Sequence, residues 1–199
     1  MTEISVALAP AKERLMNTAY DLFARRGVRG VGVDEIIATS NVAKATFYKY
    51  FRSKDDLVLA FLARRDQLWT REVVEEGARS RSDHPEGQLL AIFDVYDDWF
   101  SRPAEFEACS FVNVMLEMGP QHPLGQAAVG YLEDIRSVVR GLASEAGLRE
   151  PEEFARSWHI LMKGSIVSAA EGDLKAAIRA KAMARTLIEQ FRGPEAPLG

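Results

Sequence analysis

The segment Thr39-Ser40-Asn41-Val42-Ala43-Lys44-Ala45-Thr46-Phe47-Tyr48-Lys49-Tyr50-Phe51-Arg52-Ser53-Lys54 decides how this chain is read. Ile36 and Ile37 precede it, and Val42 and Phe47 follow the short polar step Thr39-Ser40-Asn41, so apolar residues stand on both sides of a turn. Asparagine is one of the few non-glycine residues that tolerate the left-handed backbone such a turn often needs. Two short helices, over residues 33–39 and 43–51, fit a helix-turn-helix, whose second helix enters the major groove of DNA with its N-terminal end first. On that second helix Phe47 and Phe51 are one turn apart and face inward. Lys44, Ala45, Thr46, Tyr48, Lys49 and Tyr50 are left for the outer surface. Bases, hydroxyls and one small side chain are what phosphate positioning and groove entry require. An ordinary helical hairpin with surface tyrosines uses the same residues, and spacing alone leaves both readings open.

Charge works outward from this segment. The whole chain of 199 residues is acidic, with 25 Lys and Arg against 29 Asp and Glu and a net charge of −4. Taken as one number, that argues against a polyanionic partner. Up to Leu57, however, nine bases face seven acids, a balance of +2, so the remainder carries −6. Ser40 to Lys54 holds Lys44, Lys49, Arg52 and Lys54 and no acid at all. A basic stretch in an acidic chain marks an anion-facing element, whereas its bland counterpart is a solvated helix face.

Composition is that of a globular protein, 47% hydrophobic and 27% charged. No apolar run reaches the ~18–20 residues of a membrane span. The opening MTEISVALAP has no basic region, so no secretory signal is expected, and the single Cys109 fits a reducing, cytoplasmic setting. Apolar spacing makes the whole chain all-α. A first helix begins near Pro10, carries Leu15, Ala19, Leu22 and Phe23 on one face, and stops at Gly27 behind Arg25 and Arg26. Ser53-Lys54-Asp55-Asp56 resembles a capping box and opens a longer helix through Leu57, Phe61, Leu62 and Leu68. Leu89, Ile92, Phe93, Tyr96, Trp99 and Phe100 form one face of the next helix, opposite Asp94, Asp97 and Asp98. Pro103 interrupts the pattern. Further helices are expected over residues 106–118, 123–146, 151–171 and 174–191, with a disordered tail over 193–199.

Residues 12–57 resemble the N-terminal domain of TetR-family transcriptional regulators. The matching features are Ala19, Phe23, Gly27, Ile36, Val42, the run Thr46-Phe47-Tyr48-Lys49-Tyr50-Phe51, and Ser53-Lys54 with Leu57. The resemblance implies phosphate contacts from Thr46, Tyr48 and Lys54, and places Lys44, Ala45, Lys49 and Tyr50 at base edges or the adjoining backbone. The chain departs from the family pattern at Val31 and Gly32, where hydroxyl residues are common, at Asn41 in place of glycine, and at Ala43 in place of serine. Gly32 and Ala43 remove possible helix caps and phosphate hydrogen bonds.

The resemblance also implies a division into a three-helix DNA-binding domain over residues 1–57 and a helical effector-binding and dimerisation domain over 58–199. Function follows as an expectation: a homodimer on a pseudo-palindromic double-stranded operator, released by a small, largely apolar effector. Repression is expected, with activation by the same fold as the alternative. Trp69, Phe93, Tyr96, Trp99, Phe111, Trp158 and Met162 are apolar candidates for the effector site, and most such residues in any one chain are core. Asn113, Glu117, His122 and His159 are the polar candidates set among them. The segment Cys109–Asn113 with Glu117 and His122 resembles one that lies beside the ligand cavity in many TetR-family members, and Asn113 and Glu117 are one helical turn apart.

Small residues at helical spacing, Gly164, Ser165, Ser168 and Ala169, then Ala177, Ala180 and Ala184, suit the close helix contacts of the family's two-fold interface. No metal and no cofactor is expected, because the spacing of Glu117, His122 and His159 does not demand one. An enzyme using Cys109, Glu117, His122 or His159 is the remote alternative, without a nucleophile motif or phosphate loop to support it.

Overall fold

A computed structural model describes residues 10–102 and 106–193. Among them there is helix and no strand. In chain order the helices are α1 (Pro10–Arg26), α2 (Val33–Ser40), α3 (Lys44–Tyr50), α4 (Lys54–Arg65), a π-helical segment (Asp66–Glu75), α5 (Glu76–Arg79), α6 (Pro85–Phe100), α7 (Ser110–Met118), α8 (Pro123–Glu145), α9 (Pro151–Ala170) and α10 (Ala176–Phe191). Most expected helices stand within a residue or two of their ends. The expected helix over 106–118 starts only at Ser110, after Ala108 takes a left-handed φ of 57°. The helix opened by Ser53 is α-helical only to Arg65 and then widens into ten residues of π-helix. Pro103 and the tail beyond Gly193 lie outside the described residues.

The chain forms two compact units. The first takes the residues as far as Arg64 together with Ser110–Val129, and the second takes Arg65–Cys109 with the residues from Gly130 on. This differs from a boundary at Leu57. Leu57, Val58, Phe61 and Leu62 are all fully buried, and Phe61 meets Tyr20 and Phe23 of α1 edge-on at 5.5 and 5.6 Å. That packing ties most of α4 to the first unit, and the rest of the first unit's core comes from Leu15, Ala19, Ile36 and Phe47.

In the second unit α10 packs on α9 and on α6. The face predicted for α6 is the buried one: Leu89, Ile92, Phe93, Tyr96, Trp99 and Phe100 are each at most 5% exposed. Its opposite face makes ion pairs, Asp94 with Lys181 of α10 at 2.6 Å and Asp98 with Arg81 at 2.7 Å. Phe93 meets Trp158 of α9 at 5.3 Å, and Phe154 meets Phe191 of α10 at 5.5 Å.

Candidate nucleic-acid interface

The turn between α2 and α3 is built as its sequence suggests. Asn41 sits at φ 50°, ψ 49°, in the left-handed region. Its backbone N–H donates to the Ala38 carbonyl at 3.2 Å, and that of Val42 donates to the Ile37 carbonyl at 3.3 Å. This pair of bonds closes the end of α2 as a Schellman motif, satisfying carbonyls the helix would otherwise leave unpaired. Arg14 of α1 donates to the Ser40 carbonyl at 3.3 Å, fixing the same end against α1. Ile36, Val42, Phe47 and Phe51 are buried, so the two helices are locked by the apolar residues that flank the turn. Gly32 and Ala43 stand at the N-caps of α2 and α3, and neither helix has a side-chain cap.

With Phe47 and Phe51 turned inward, α3 presents the remaining residues outward. Lys44, Ala45, Tyr48 and Lys49 are exposed, and Thr46, Tyr50 and Lys54 are half-buried. The exposed Lys44 ammonium lies 3.2 Å from Asp34 of α2, a surface pair worth little in water and easily exchanged for a phosphate. Lys49 stands over the Tyr50 ring at 5.7 Å. Lys54 opens α4, whose first turn is fixed as the sequence suggests. The Asp56 N–H donates to Ser53 Oγ at 3.1 Å, while the Asp56 carboxylate accepts from the Arg52 N–H at 3.0 Å.

A second set of contacts, not expected from the sequence, holds the other end of α1. Gly27 ends α1 at φ 74°, and beyond it Glu117 of α7 accepts from two successive backbone N–H groups. Val28 donates to Oε2 at 2.8 Å and Arg29 donates to Oε1. The left-handed angle favours glycine at position 27, and a Cβ there would stand 3.0 Å from Glu117 Oε2 and press on the carboxylate. The turn so held leads straight to α2, which Arg26 also engages through an ion pair with Glu35. Glu117, an effector-site candidate in the sequence, here accepts backbone N–H groups within the first unit. One sequence signal points that way: a carboxylate in the last turn of a helix is disfavoured by the helix dipole unless something else holds it.

The other effector candidates divide between the units. In the first, Asn113 is exposed, Phe111 is buried, and His122 caps α8 by accepting the Leu124 N–H at Nδ1, 3.2 Å away. In the second unit an aromatic row brings several together. Trp158 meets Phe93 at 5.3 Å, Phe93 meets Tyr96 at 6.2 Å, Tyr96 meets Trp99 at 6.0 Å, and Trp99 meets Trp69 at 4.3 Å. Burial raises the Tyr96 phenol well above the usual tyrosine range. His159 and Met162 are buried on α9, the helix that carries Trp158. Burial and then the charges of Lys163 and Arg136 push the His159 imidazole down to about 3, so it is neutral at pH 7. Among the described residues no three His, Cys, Asp or Glu side chains converge as metal ligands would.

The small residues expected at a two-fold interface separate by face. Ser165, Ala169, Ala177, Ala180 and Ala184 are buried within the protomer, where a small side chain permits close helix packing. Gly164 is exposed and Ser168 half-buried. Beside them the same two helices expose large apolar side chains: Ile160, Val167, Ile178 and Met183 are each more than half accessible. A shallow groove of about 310 Å³ runs between Ile160, Gly164, Ser168 and Met183.

A buried-backed helix with bases and hydroxyls on its outer face, set behind a closed inter-helix turn, defines a helix-turn-helix DNA-binding protein. The description "Bacterial regulatory proteins, tetR family" matches residues 15–61. The transcriptional regulator AcuR of Cereibacter sphaeroides is 27% identical over 167 residues, 80% of this chain and 76% of its own. The repressor NemR of Escherichia coli is 28% identical over 107 residues, 54% and 53% of the two chains. The crystal structure of a TetR-family regulator from Streptomyces coelicolor superposes with a TM-score of 0.82 at 27% identity, covering 92% of this chain and 96% of that one. Residues 15–61 match the TetR-family model, and over most of its length the chain is similar to a TetR-family transcriptional regulator. Among the described residues no helix is long and apolar enough to cross a membrane.

Proposed function

We propose that this protein is a ligand-responsive repressor that binds a pseudo-palindromic operator as a homodimer and leaves it when a small effector binds the second unit. The observation that carries the reading is α3. Its Phe47 and Phe51 are inward, and Lys44, Ala45, Thr46, Tyr48, Lys49 and Tyr50 stand on the accessible side, with Lys54 following. In this reading Thr46, Tyr48 and Lys54 contact phosphates, and Lys44, Ala45, Lys49 and Tyr50 lie at base edges. NemR is named as a repressor, which supports repression here as well.

Two heads on one duplex need a two-fold partner. The exposed apolar side chains Ile160, Val167, Ile178 and Met183, with Gly164 and Ser168 between them, support α9 and α10 as the dimer face, because an apolar patch of this kind is unusual on a free surface. Effector binding then favours a conformation whose two heads no longer match both half-sites, to the extent that the effector binds that conformation more tightly.

Fluorescence anisotropy with the protein's own promoter region tests the docking. Tyr48→Ala and Lys54→Ala each weaken binding about tenfold, and Lys54→Ala also flattens the salt dependence by about one counterion. Wild-type affinity in both variants overturns the docking. Ile178→Asp with Met183→Asp converts the dimer to monomer in light scattering and lowers operator affinity without lowering the affinity of a single head for a half-site.

A further inference from the structure

Six buried side-chain atoms in the second unit have no hydrogen-bond partner among the described residues: Asp66 Oδ1, Thr70 Oγ1, Gln88 Oε1, Arg136 Nε, Trp158 Nε1 and His159 Nδ1. A native interior leaves few such groups, because each costs the desolvation it never recovers. Two lie on the π-helical segment, a distortion of the backbone found often at functional sites.

Three of the six are nitrogens carried by α8 and α9, and the ammonium of Lys163 joins them. His159 and Lys163 are one turn apart on α9 and share a face. Lys163 is half-buried and makes no hydrogen bond and no ion pair with a carboxylate among the described residues. Arg136 is engaged through Nη2 by Glu133 but not through Nε. The charges of Lys163 and Arg136 both disfavour protonation of His159. Burial, then Arg136, lowers the basicity of Lys163, against a smaller opposing effect of Cys109. Burial, then Arg156, lowers that of Arg136. Arg136 Nε thus has no acceptor although its Nη2 has one, and the half-buried Lys163 ammonium has no carboxylate beside it among the described residues; retaining groups in that state makes physical sense where a ligand brings the anion.

We propose that Arg136, His159 and Lys163, with the indole N–H of Trp158, recognise the carboxylate of a small organic acid whose apolar or aromatic body lies along the row of Phe93, Tyr96 and Trp99. The row begins at Trp158 itself, one residue from His159, so a head of one polarity and a body of the other follow from the same stretch of α9. This rests on the effector reading above and sharpens it: the effector is an anion at one end rather than apolar throughout. A bare inorganic anion satisfies the head alone and leaves the aromatic row unused.

Isothermal titration calorimetry on the full-length protein tests this with benzoate, phenylacetate and octanoate, each against its neutral amide, and with sodium chloride as the inorganic arm. At least one acid binds tighter than ~1 mM and tenfold or more tighter than its amide. Lys163→Met removes that preference, Lys163→Arg keeps it, and both variants melt cooperatively. Equal binding of acid and amide, no binding by any of the three acids, or displacement by chloride at equal concentration overturns the carboxylate site. Operator release, followed in parallel, separates the two readings. Amides that release DNA as well as their acids leave the effector reading standing and end this one. Acids that bind through Lys163 without altering operator affinity establish the site and end its regulatory role.

Discussion

In the first unit the polar groups around the helix-turn-helix are paired by the chain itself. Ser40 Oγ donates to the Ile37 carbonyl at 3.2 Å, Arg14 reaches the end of α2, Ser53 and Asp56 fix the start of α4, and Glu117 takes two backbone N–H groups at once. Ser110 Oγ on α7 is the exception there among the described residues. In the second unit Asp66, Thr70, Gln88, Arg136, Trp158 and His159 each keep a buried polar atom unpaired. Both units have well-buried aromatic cores, so the contrast is not one of packing quality. A head that must present one fixed surface to DNA gains from being fully paired within itself. An interior that must respond to a ligand gains from holding polar groups whose partners are not part of the chain.

The contrast breaks most severely at Glu117. Among the described residues its carboxylate is the acceptor for the N–H groups of both Val28 and Arg29, and hydrogen bonds to a charged group contribute roughly 1.5–3 kcal/mol each, less where one side faces water. Glu117→Ala should therefore destabilise the protein by about 2–3 kcal/mol. Amide hydrogen exchange at Val28 and Arg29 should lose its protection before the rest of α1 does. Glu117→Gln is not a mild substitute, because its Nε2 would set a donor against one of the two N–H groups. If Glu117→Ala melts with the wild type, the clamp contributes nothing and the head is held by its apolar core alone.

The second break is a pH dependence that belongs to one histidine. His159 has a folded value of about 3 against an ordinary one near 6.5, because burial and the positive charges of Lys163 and Arg136 disfavour its protonation. Between those values the unfolded chain binds a proton that the folded chain refuses, so stability falls as pH falls. The slope is about 1.4 kcal/mol per pH unit, or about 2 kcal/mol between pH 7 and 5. Urea titrations at both pH values should show that loss in the wild type, and a smaller one in His159→Gln, whose side chain does not titrate. Equal losses in the two proteins place the acid sensitivity elsewhere.

These two residues also mark what could and could not be read from the chain alone. The turn at Asn41, the inward pair Phe47 and Phe51 and the buried face of α6 are set by contacts within one or two helical turns, so periodicity and turn chemistry carried them. Glu117 and Val28 are 89 positions apart, and no local pattern announces that pairing. The small residues of α10 show a different limit. Alanine at helical spacing permits close approach on whichever side another helix arrives, and Ala177 and Ala184 meet their own chain. The large apolar neighbours Ile178 and Met183, by contrast, are exposed. The unpaired nitrogens of α8 and α9 were invisible for the opposite reason: a sequence shows which groups can bond, and only coordinates show which do not.

The mildest test asks whether the unpaired positive charge in the second unit is a cost. Lys163 has no carboxylate partner of its own among the described residues, and removing its charge relieves its repulsion by Arg136 as well as the desolvation of the ammonium. Methionine keeps the length and the apolar stem. Lys163→Met should raise the stability of the ligand-free protein by a few tenths of a kcal/mol and at most about 1 kcal/mol, since partial exposure screens the interaction. For a domain of this size that is an increase of ~1–4 °C in Tm. Most substitutions of a partly buried side chain destabilise, so a gain here has a specific meaning: the position is held against stability, as binding sites commonly are. A loss on Lys163→Met would mean that the ammonium is already satisfied within the folded chain, and the second unit would then be as self-sufficient as the first.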